Sequence, residues 1–295
     1  MTADGGAAPW LLLSVQAPAR GEEIFLVEAL RRLGARAVER EGARYVALLP
    51  PAADVDALLR EAEAVIRTST SLRDPWIDCR PQSPEAWAEA WSRGIETRRV
   101  GERFVVAPRG RETETGPGDL PIRLVPGPGF GTAEHPTTRS CLRLLERCLS
   151  PGDRVADVGS GSGILAIAAA LLGARRVLAL EMDPYACAAA RDTVEENGVA
   201  DRVEVREVEV RPRTLRTAGP FDGIAANLQA AILLPLLPSL AEALTPRGWI
   251  VGSGILRAER TEVLRASAAA GLGPEAEEVE DGWWSAVLRR RARPQ

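Results

Sequence analysis

One nine-residue run, Val155-Ala156-Asp157-Val158-Gly159-Ser160-Gly161-Ser162-Gly163, constrains this chain more than any other. An apolar strand enters a turn with glycine at every second position and passes directly into an Ala/Leu helix. Glycine lets the backbone bend sharply and approach a ligand closely. The helix start presents unpaired N–H groups at the positive end of its dipole. Strand, turn and helix together form an anion-binding geometry.

The surroundings of this run set the fold class. From about residue 123 onward strands alternate with helices. Strands are read at 154–158, 176–181, 202–206, 221–226, 247–253 and 283–288, and helices at 137–149, 163–172, 184–197, 230–244 and 257–270. That alternation implies a mostly parallel sheet covered on both faces. Residues 10–80 read as a unit of their own, with strands at 10–15, 35–41, 44–49 and 76–79 and helices at 23–33 and 55–66. The order β-α-β-β-α-β is that of a split βαβ, ferredoxin-like sandwich; an undifferentiated α+β cap is the other reading. Residues 83–100 read as a connecting helix started by Ser83-Pro84-Glu85, with Trp87 and Trp91 on one face. A short strand at 103–108 and a Gly/Pro/Thr-rich loop at 109–119 come next. The expected organisation is a small α+β domain over 1–80, a linker helix with connecting strand and loop over 81–122, and an α/β Rossmann-like domain over 123–295.

Composition removes several chemistries. All 37 basic residues are arginine, which excludes a Schiff-base lysine, a phosphate-loop lysine and a lysine general base. His135 is the single histidine, so no site uses two imidazoles. Cys79, Cys141, Cys148 and Cys187 form no CxxC pair; they read as reduced, mostly buried thiols, and no metal is expected. A net charge of −4 gives no overall basic field for nucleic acid, and none is expected as a direct partner. The run Arg289-Arg290-Arg291-Ala292-Arg293 reads as a solvated terminus in preference to an RNA contact. The first residues lack a secretory pattern, and the longest apolar stretch, 164–172, is far short of the roughly 20 residues that span a bilayer. The expected location is the cytoplasm, with no membrane partner.

The dinucleotide fingerprint would put a third glycine at position 164, which is Ile164, and no phosphate-binding lysine is present. Asp157 stands two residues before Gly159, and Glu181 ends the next strand. A carboxylate there accepts the two ribose hydroxyls of an adenosine ligand, each bond worth roughly 1.5–3 kcal/mol. The set Asp157, Gly159, Gly161, Gly163 and Glu181 suits S-adenosylmethionine better than NAD, because the methionine end offers one carboxylate where NAD brings a diphosphate. NAD binding and a ligand-free turn remain the alternatives. Asn227, in Ala225-Ala226-Asn227-Leu228-Gln229, ends a further strand and should face the sulfonium. Its amide oxygen can accept a hydrogen bond from an amine; without a following aromatic, the segment favours an aliphatic amine over a flipped base. The loop Pro128-Gly129-Phe130-Gly131-Thr132-Ala133-Glu134-His135-Pro136-Thr137-Thr138 suits a lid, with Thr137 or Thr138 as helix cap. His135 is a candidate proton acceptor or a structural residue.

On these residues the chain resembles the PrmA-type methyltransferases that modify the eleventh protein of the large ribosomal subunit. Trp87, Trp91, Gly101, Phe104 and Pro108 match the linker pattern, and Pro126-Gly127, Phe130-Gly131-Thr132 and His135-Pro136-Thr137-Thr138 match the signature loop. Val158 through Leu165, Asp183-Pro184, Ala226-Asn227-Leu228 and Gly252-Ser253-Gly254-Ile255-Leu256 match the remainder. The resemblance implies a class I S-adenosylmethionine-dependent fold and cofactor contacts at Thr138, Gly159, Glu181 and Asn227. It implies substrate recognition by residues 1–80 and methylation of lysine side-chain and/or N-terminal amines of that ribosomal protein. The chain departs from the pattern at Val125, Ala133, Glu181 and Leu228, where aspartate, glycine, aspartate and isoleucine are usual. A similar lysine methyltransferase of a flavoprotein subunit shares much of this core. Another protein substrate, an RNA substrate, or a non-catalytic adenosine-binding role stands as the alternative.

Overall fold

The computed structural model describes residues 9–290 apart from residues 20, 36, 84–93 and 128. The chain divides into two compact units, Met1–Trp91 and Ser92–Gln295. The connecting helix expected around Trp87 and Trp91 lies outside the described residues.

The first unit runs β1 (Trp10–Gln16), α1 (Glu23–Arg32), β2 (Ala37–Glu41), β3 (Arg44–Leu49), α2 (Val55–Ser69) and β4 (Ile77–Gln82). Its sheet has the order β2-β3-β1-β4, with every neighbouring pair antiparallel. Side chains alternate across a strand, so Leu11, Leu13 and Val15 of β1 and Tyr45, Ala47 and Leu49 of β3 share one core with Leu26 and Leu30 of α1 and Ala62 and Ile66 of α2. Asp54 starts α2 by accepting the Ala57 N–H at 2.9 Å, which satisfies one of the unpaired donors of the first turn.

The second unit begins with a small sheet where the sequence reading placed a linker. β5 (Arg98–Val100) pairs antiparallel with β6 (Phe104–Pro108), and β6 pairs parallel with β7 (Leu120–Leu124). Arg99 and Asp119 close it with two bonds of 2.7 Å. Residues 98–122 are therefore part of the second unit's own architecture. β5 is three residues long and β7 carries Pro121, so neither shows an alternating run in the sequence.

The main body of the second unit consists of α3 (Pro136–Cys148), β8 (Arg154–Val158), α4 (Ile164–Leu171), β9 (Arg176–Glu181), α5 (Pro184–Glu196), β10 (Val203–Glu207), α6 (Pro212–Ala218), β11 (Phe221–Asn227), α7 (Ala230–Glu242), β12 (Leu244–Leu256), α8 (Arg260–Ala269), β13 (Leu272–Glu280) and β14 (Trp283–Arg290). The seven strands lie in the order β10-β9-β8-β11-β12-β14-β13. The first five are mutually parallel, and β14 runs antiparallel to both of its neighbours. The expected mostly parallel sheet is present. α6 and β13 are additions: β13 is an edge strand with Gly273, Pro274 and four glutamates, a poor strand signature.

α4 is apolar all round, with every residue from Ile164 to Ala170 buried. Such a helix belongs in the interior. Trp249, Trp284, Phe104 and Phe221 are the largest buried side chains. The strand order reverses beside β8, with β9 on one side and β11 on the other. Open α/β sheets bind their ligands outside the carboxyl ends of the strands at such a switch point. The ends of β8, β9 and β11 carry the glycine turn, Glu181 and Asn227.

Candidate active site

The turn after β8 works because three residues adopt the left-handed region, Gly159 at φ 71°, Gly161 at 52° and Gly163 at 80°. The amides of Gly159 and Ser160 donate to the Leu180 carbonyl at 2.8 and 3.1 Å, which fastens the turn to β9. On the other side it lies against the signature loop. Ser162 N donates to Phe130 O at 2.9 Å, and Ser162 Oγ to Gly131 O at 2.5 Å. A Cβ at Gly129 would stand 2.6 Å from the Gly161 carbonyl carbon, and one at Gly161 would overlap the Phe130 carbonyl. Main chain meets main chain here.

Glu181 ends β9 with its carboxylate already oriented. Oε2 accepts from Gly161 N at 3.0 Å; Oε1 accepts from Met182 N at 2.8 Å and Asp183 N at 3.0 Å. Asp157 Oδ2 accepts from Ala166 N in the first turn of α4 at 3.0 Å. Burial pushes the Asp157 carboxyl up to about 7, with the Ala166 N–H opposing the rise and the nearby Glu181 charge adding to it.

This shift predicts a pH dependence of stability. The buried group favours the neutral form, while the unfolded chain ionises near pH 3.8. The stability it contributes is present below that value and is lost as pH rises toward about 7. Between pH 5 and 8 the loss comes to about 2–3 kcal/mol, or roughly 5 °C in melting temperature. Asp157→Asn retains the acceptor for Ala166 and removes the charge. Thermal melts at the two pH values should therefore diverge, the variant gaining on the parent as pH rises; parallel curves would reject the burial of an ionisable Asp157.

The opposite wall joins three side chains. Thr137 N donates to His135 Nδ1 at 3.3 Å, and Thr137 Oγ1 lies 2.7 Å from the same nitrogen. Nδ1 is thus an acceptor, and the Thr137 hydroxyl proton points to it. Oγ1 must then accept from Asn227 Nδ2, 3.3 Å away. The chain of bonds fixes the amide with Nδ2 on Thr137 and leaves Oδ1 buried without a partner. His135, extended at φ −87° and ψ 134°, is the N-cap of α3. That corrects the expectation that Thr137 or Thr138 caps the helix. The His135 ring lies edge-on to Phe130 and to Trp283, each with centroids 5.1 Å away. Neither Thr137's bridging role nor Trp283's place beside His135 was legible in the sequence.

Among the described residues, five buried side-chain oxygens have no hydrogen-bond partner: Thr138 Oγ1, Asp157 Oδ1, Ser160 Oγ, Asn227 Oδ1 and Ser267 Oγ. The first four sit at the start of α3, on β8, in the glycine turn and at the end of β11; Ser267 lies apart in α8. A buried polar atom left unpaired costs about 1–3 kcal/mol. Four of the five, on elements that meet at the carboxyl-end side of one sheet, offer hydrogen-bonding capacity to a polar ligand such as an amino-acid group. No cluster of metal-holding side chains is present among the described residues.

The strand order, reversed at β8 and with one antiparallel strand inserted between β12 and β13, gives the chain the Rossmann-like fold of class I S-adenosylmethionine-dependent methyltransferases. Residues 14–291 match the family described as Ribosomal protein L11 methyltransferase (PrmA). The chain is 45% identical over 236 residues to the ribosomal protein L11 methyltransferase of Chloroflexus aurantiacus, covering 73% of this chain and 72% of that one. It is 40% identical over 245 residues to that of Symbiobacterium thermophilum, covering 80% and 77%. The crystal structure of ribosomal protein L11 methylase from Lactobacillus delbrueckii subsp. bulgaricus superposes with a TM-score of 0.62 at 30% identity, over 67% of this chain and all of that one. The chain belongs to the ribosomal protein L11 methyltransferase family.

Proposed function

We propose that this chain transfers methyl groups from S-adenosylmethionine to amines of ribosomal protein L11, on lysine side chains, the N-terminal amine or both. The observation that carries the reading is the set of four unpaired buried oxygens grouped on the glycine turn and its strand, Thr138 and Asn227. The turn of Gly159, Gly161 and Gly163 with the start of α4 would take the carboxylate of the methyl donor. Thr138, Asp157 and Ser160 offer their unpaired oxygens to its amino-acid end. Glu181 would take the ribose. A carboxylate has about four lone-pair positions, and three already hold backbone N–H groups, so a grip on both hydroxyls requires one backbone donor to be given up. Glu181→Ala should weaken S-adenosylmethionine binding about 10²-fold, the loss of two charge-assisted bonds; an unchanged calorimetric affinity would remove Glu181 from the site.

Bound S-adenosylmethionine supplies a sulfonium methyl, an electrophile that needs no further activation. The protein's task is to present a neutral amine in line, about 3–3.5 Å away. A free lysine with pKa near 10.4 is neutral roughly once in 2,500 at pH 7, an α-amine roughly once in ten. A dry site lowers both values by disfavouring the cation. Asn227 Oδ1 accepts an N–H of the amine and so directs its lone pair. His135 holds Thr137 in this reading; a proton taken up at Nδ1 would displace the Thr137 N–H and reverse the bond to the Thr137 hydroxyl, disturbing the contact that orients Asn227, so water receives the proton. The 1–80 unit, ferredoxin-like in our reading, recognises the protein substrate, and the setting is the cytoplasm. Among the described residues no helix is long and apolar enough to cross a membrane, and a net charge of −4 favours a protein partner over nucleic acid.

The test is incubation with radiolabelled methyl donor and purified ribosomal protein L11, followed by mass analysis. Because the chain has no lysine, label on a lysine can only come from the substrate. Calorimetry should show binding of S-adenosylmethionine and none of NAD. Label absent from L11 but present on another added protein would overturn the substrate; heat from NAD alone would overturn the cofactor.

A further inference from the structure

α3 carries Arg139, Arg143 and Arg147 at four-residue spacing, hence on one face. β13 meets them with Glu278 and Glu280, two apart and therefore on one side of the strand. The pairs interleave. Arg147 reaches Glu278 at 3.7 Å, Arg143 reaches Glu278 at 2.8 Å and Glu280 at 2.6 Å, and Arg139 Nε reaches Glu280 at 2.7 Å.

Arg139 differs from the other two. Its side chain is only 16% exposed, and its Nη1 turns away from the ladder to donate to the carbonyls of Ala133 at 3.0 Å and Glu134 at 2.6 Å. Those two residues immediately precede His135. The Glu134 carboxylate is gripped in turn by Arg98, with Nε at 2.8 Å and Nη2 at 2.7 Å. The peptide leading into the helix cap is thus fixed from two directions. It runs directly into His135, the first link of the hydrogen-bonded series His135, Thr137 and Asn227.

We propose that Arg139 is a positioning residue for methyl transfer. By holding the carbonyls of Ala133 and Glu134 against β13, it sets the extended backbone of His135, and through Thr137 it sets the Asn227 amide. The proposal rests on the reading of Asn227 as the group that directs the amine. The geometry calls for a guanidinium, because the carboxylate and the two carbonyls are reached by different nitrogens of one planar fork. A lysine ammonium keeps the charge toward Glu280, but with its donors on one nitrogen it does not reproduce the fork that joins the strand carboxylate to the two carbonyls.

The experiment compares Arg139→Met, Arg139→Lys and Glu278→Gln. The last weakens the ladder without touching the 133–134 carbonyls. Readouts are kcat and KM for ribosomal protein L11, S-adenosylmethionine affinity by calorimetry and melting temperature. Arg139→Met should lower kcat roughly 10- to 100-fold, as expected for a misplaced reactive pair, with cofactor affinity within about threefold. Arg139→Lys, which retains the charge and the fold, should still lose about tenfold in kcat. Glu278→Gln should lower the melting temperature and leave kcat in place. In an Asn227→Ala background Arg139→Met should cause no further loss, since coupled residues are non-additive. The proposal fails if Arg139→Met and Glu278→Gln both lower only the melting temperature, or if the Arg139 loss is undiminished in the double variant. A lowered kcat in Asn227→Ala beside a normal one in Arg139→Met and Arg139→Lys removes this proposal alone. A normal kcat in Asn227→Ala removes the reading of Asn227 and this proposal with it.

Discussion

Gly161→Ala is expected to abolish measurable S-adenosylmethionine binding, a loss of more than 10²-fold by calorimetry. Gly161 sits at φ 52°, which costs an ordinary residue roughly 1–2 kcal/mol. The larger effect is steric, because the added methyl would overlap the carbonyl oxygen of Phe130. Relief requires the signature loop and the turn to separate. The bonds from Ser162 to Phe130 and Gly131 then break, and so does the one from Gly161 N to Glu181. Gly198→Ala is the control: φ is 63° there, but nothing lies within 4 Å of the new methyl. It should cost about 1 kcal/mol of stability and leave binding intact. Binding by Gly161→Ala within tenfold of the parent would show that the turn does not hold the methyl donor.

Asn227→Ala should lower kcat about 10²-fold while cofactor affinity shifts by less than about threefold. The truncation removes Oδ1, which directs the amine, and the donor to Thr137 Oγ1. Removing one preorganised hydrogen-bonding group of this kind typically costs 10²–10³ in rate. Asn227→Asp sharpens the test. It supplies an acceptor oxygen but no N–H for Thr137, so the Thr137 hydroxyl is divided between His135 and the new carboxylate. Equal losses in rate and affinity for Asn227→Ala would make Asn227 a cofactor ligand only.

The parts of the candidate site legible in the sequence are those whose signal is local. The glycine turn, Asp157, Glu181 and Asn227 each sit at a strand end, and the parallel alternation places all strand ends on one edge of a sheet. What stayed hidden depends on partners distant along the chain. His135 caps α3 although serine, threonine, aspartate and asparagine are the usual caps, and two threonines beside it offered a more ordinary choice. Glu280 lies 141 positions from Arg139, on a strand too polar and too exposed to announce itself. The loop read as a lid is fastened at four of its residues, by Ser162 at Phe130 and Gly131 and by Arg139 at Ala133 and Glu134. In the first unit the order of elements read from the sequence is the order found, because β1, α1, β3 and α2 each show an apolar face and the Glu41-Gly42 pair marks the hairpin between β2 and β3.

The bare peptide seam between Gly129 and Gly161 admits no side chain at either glycine, since the added carbon would run into the facing main chain. Exchangeable side chains lie at the rim of this seam, where Phe130 is exposed and Trp283 shares the His135 ring with it. An engineer seeking a new acceptor for this scaffold would leave the seam alone and mutate the rim.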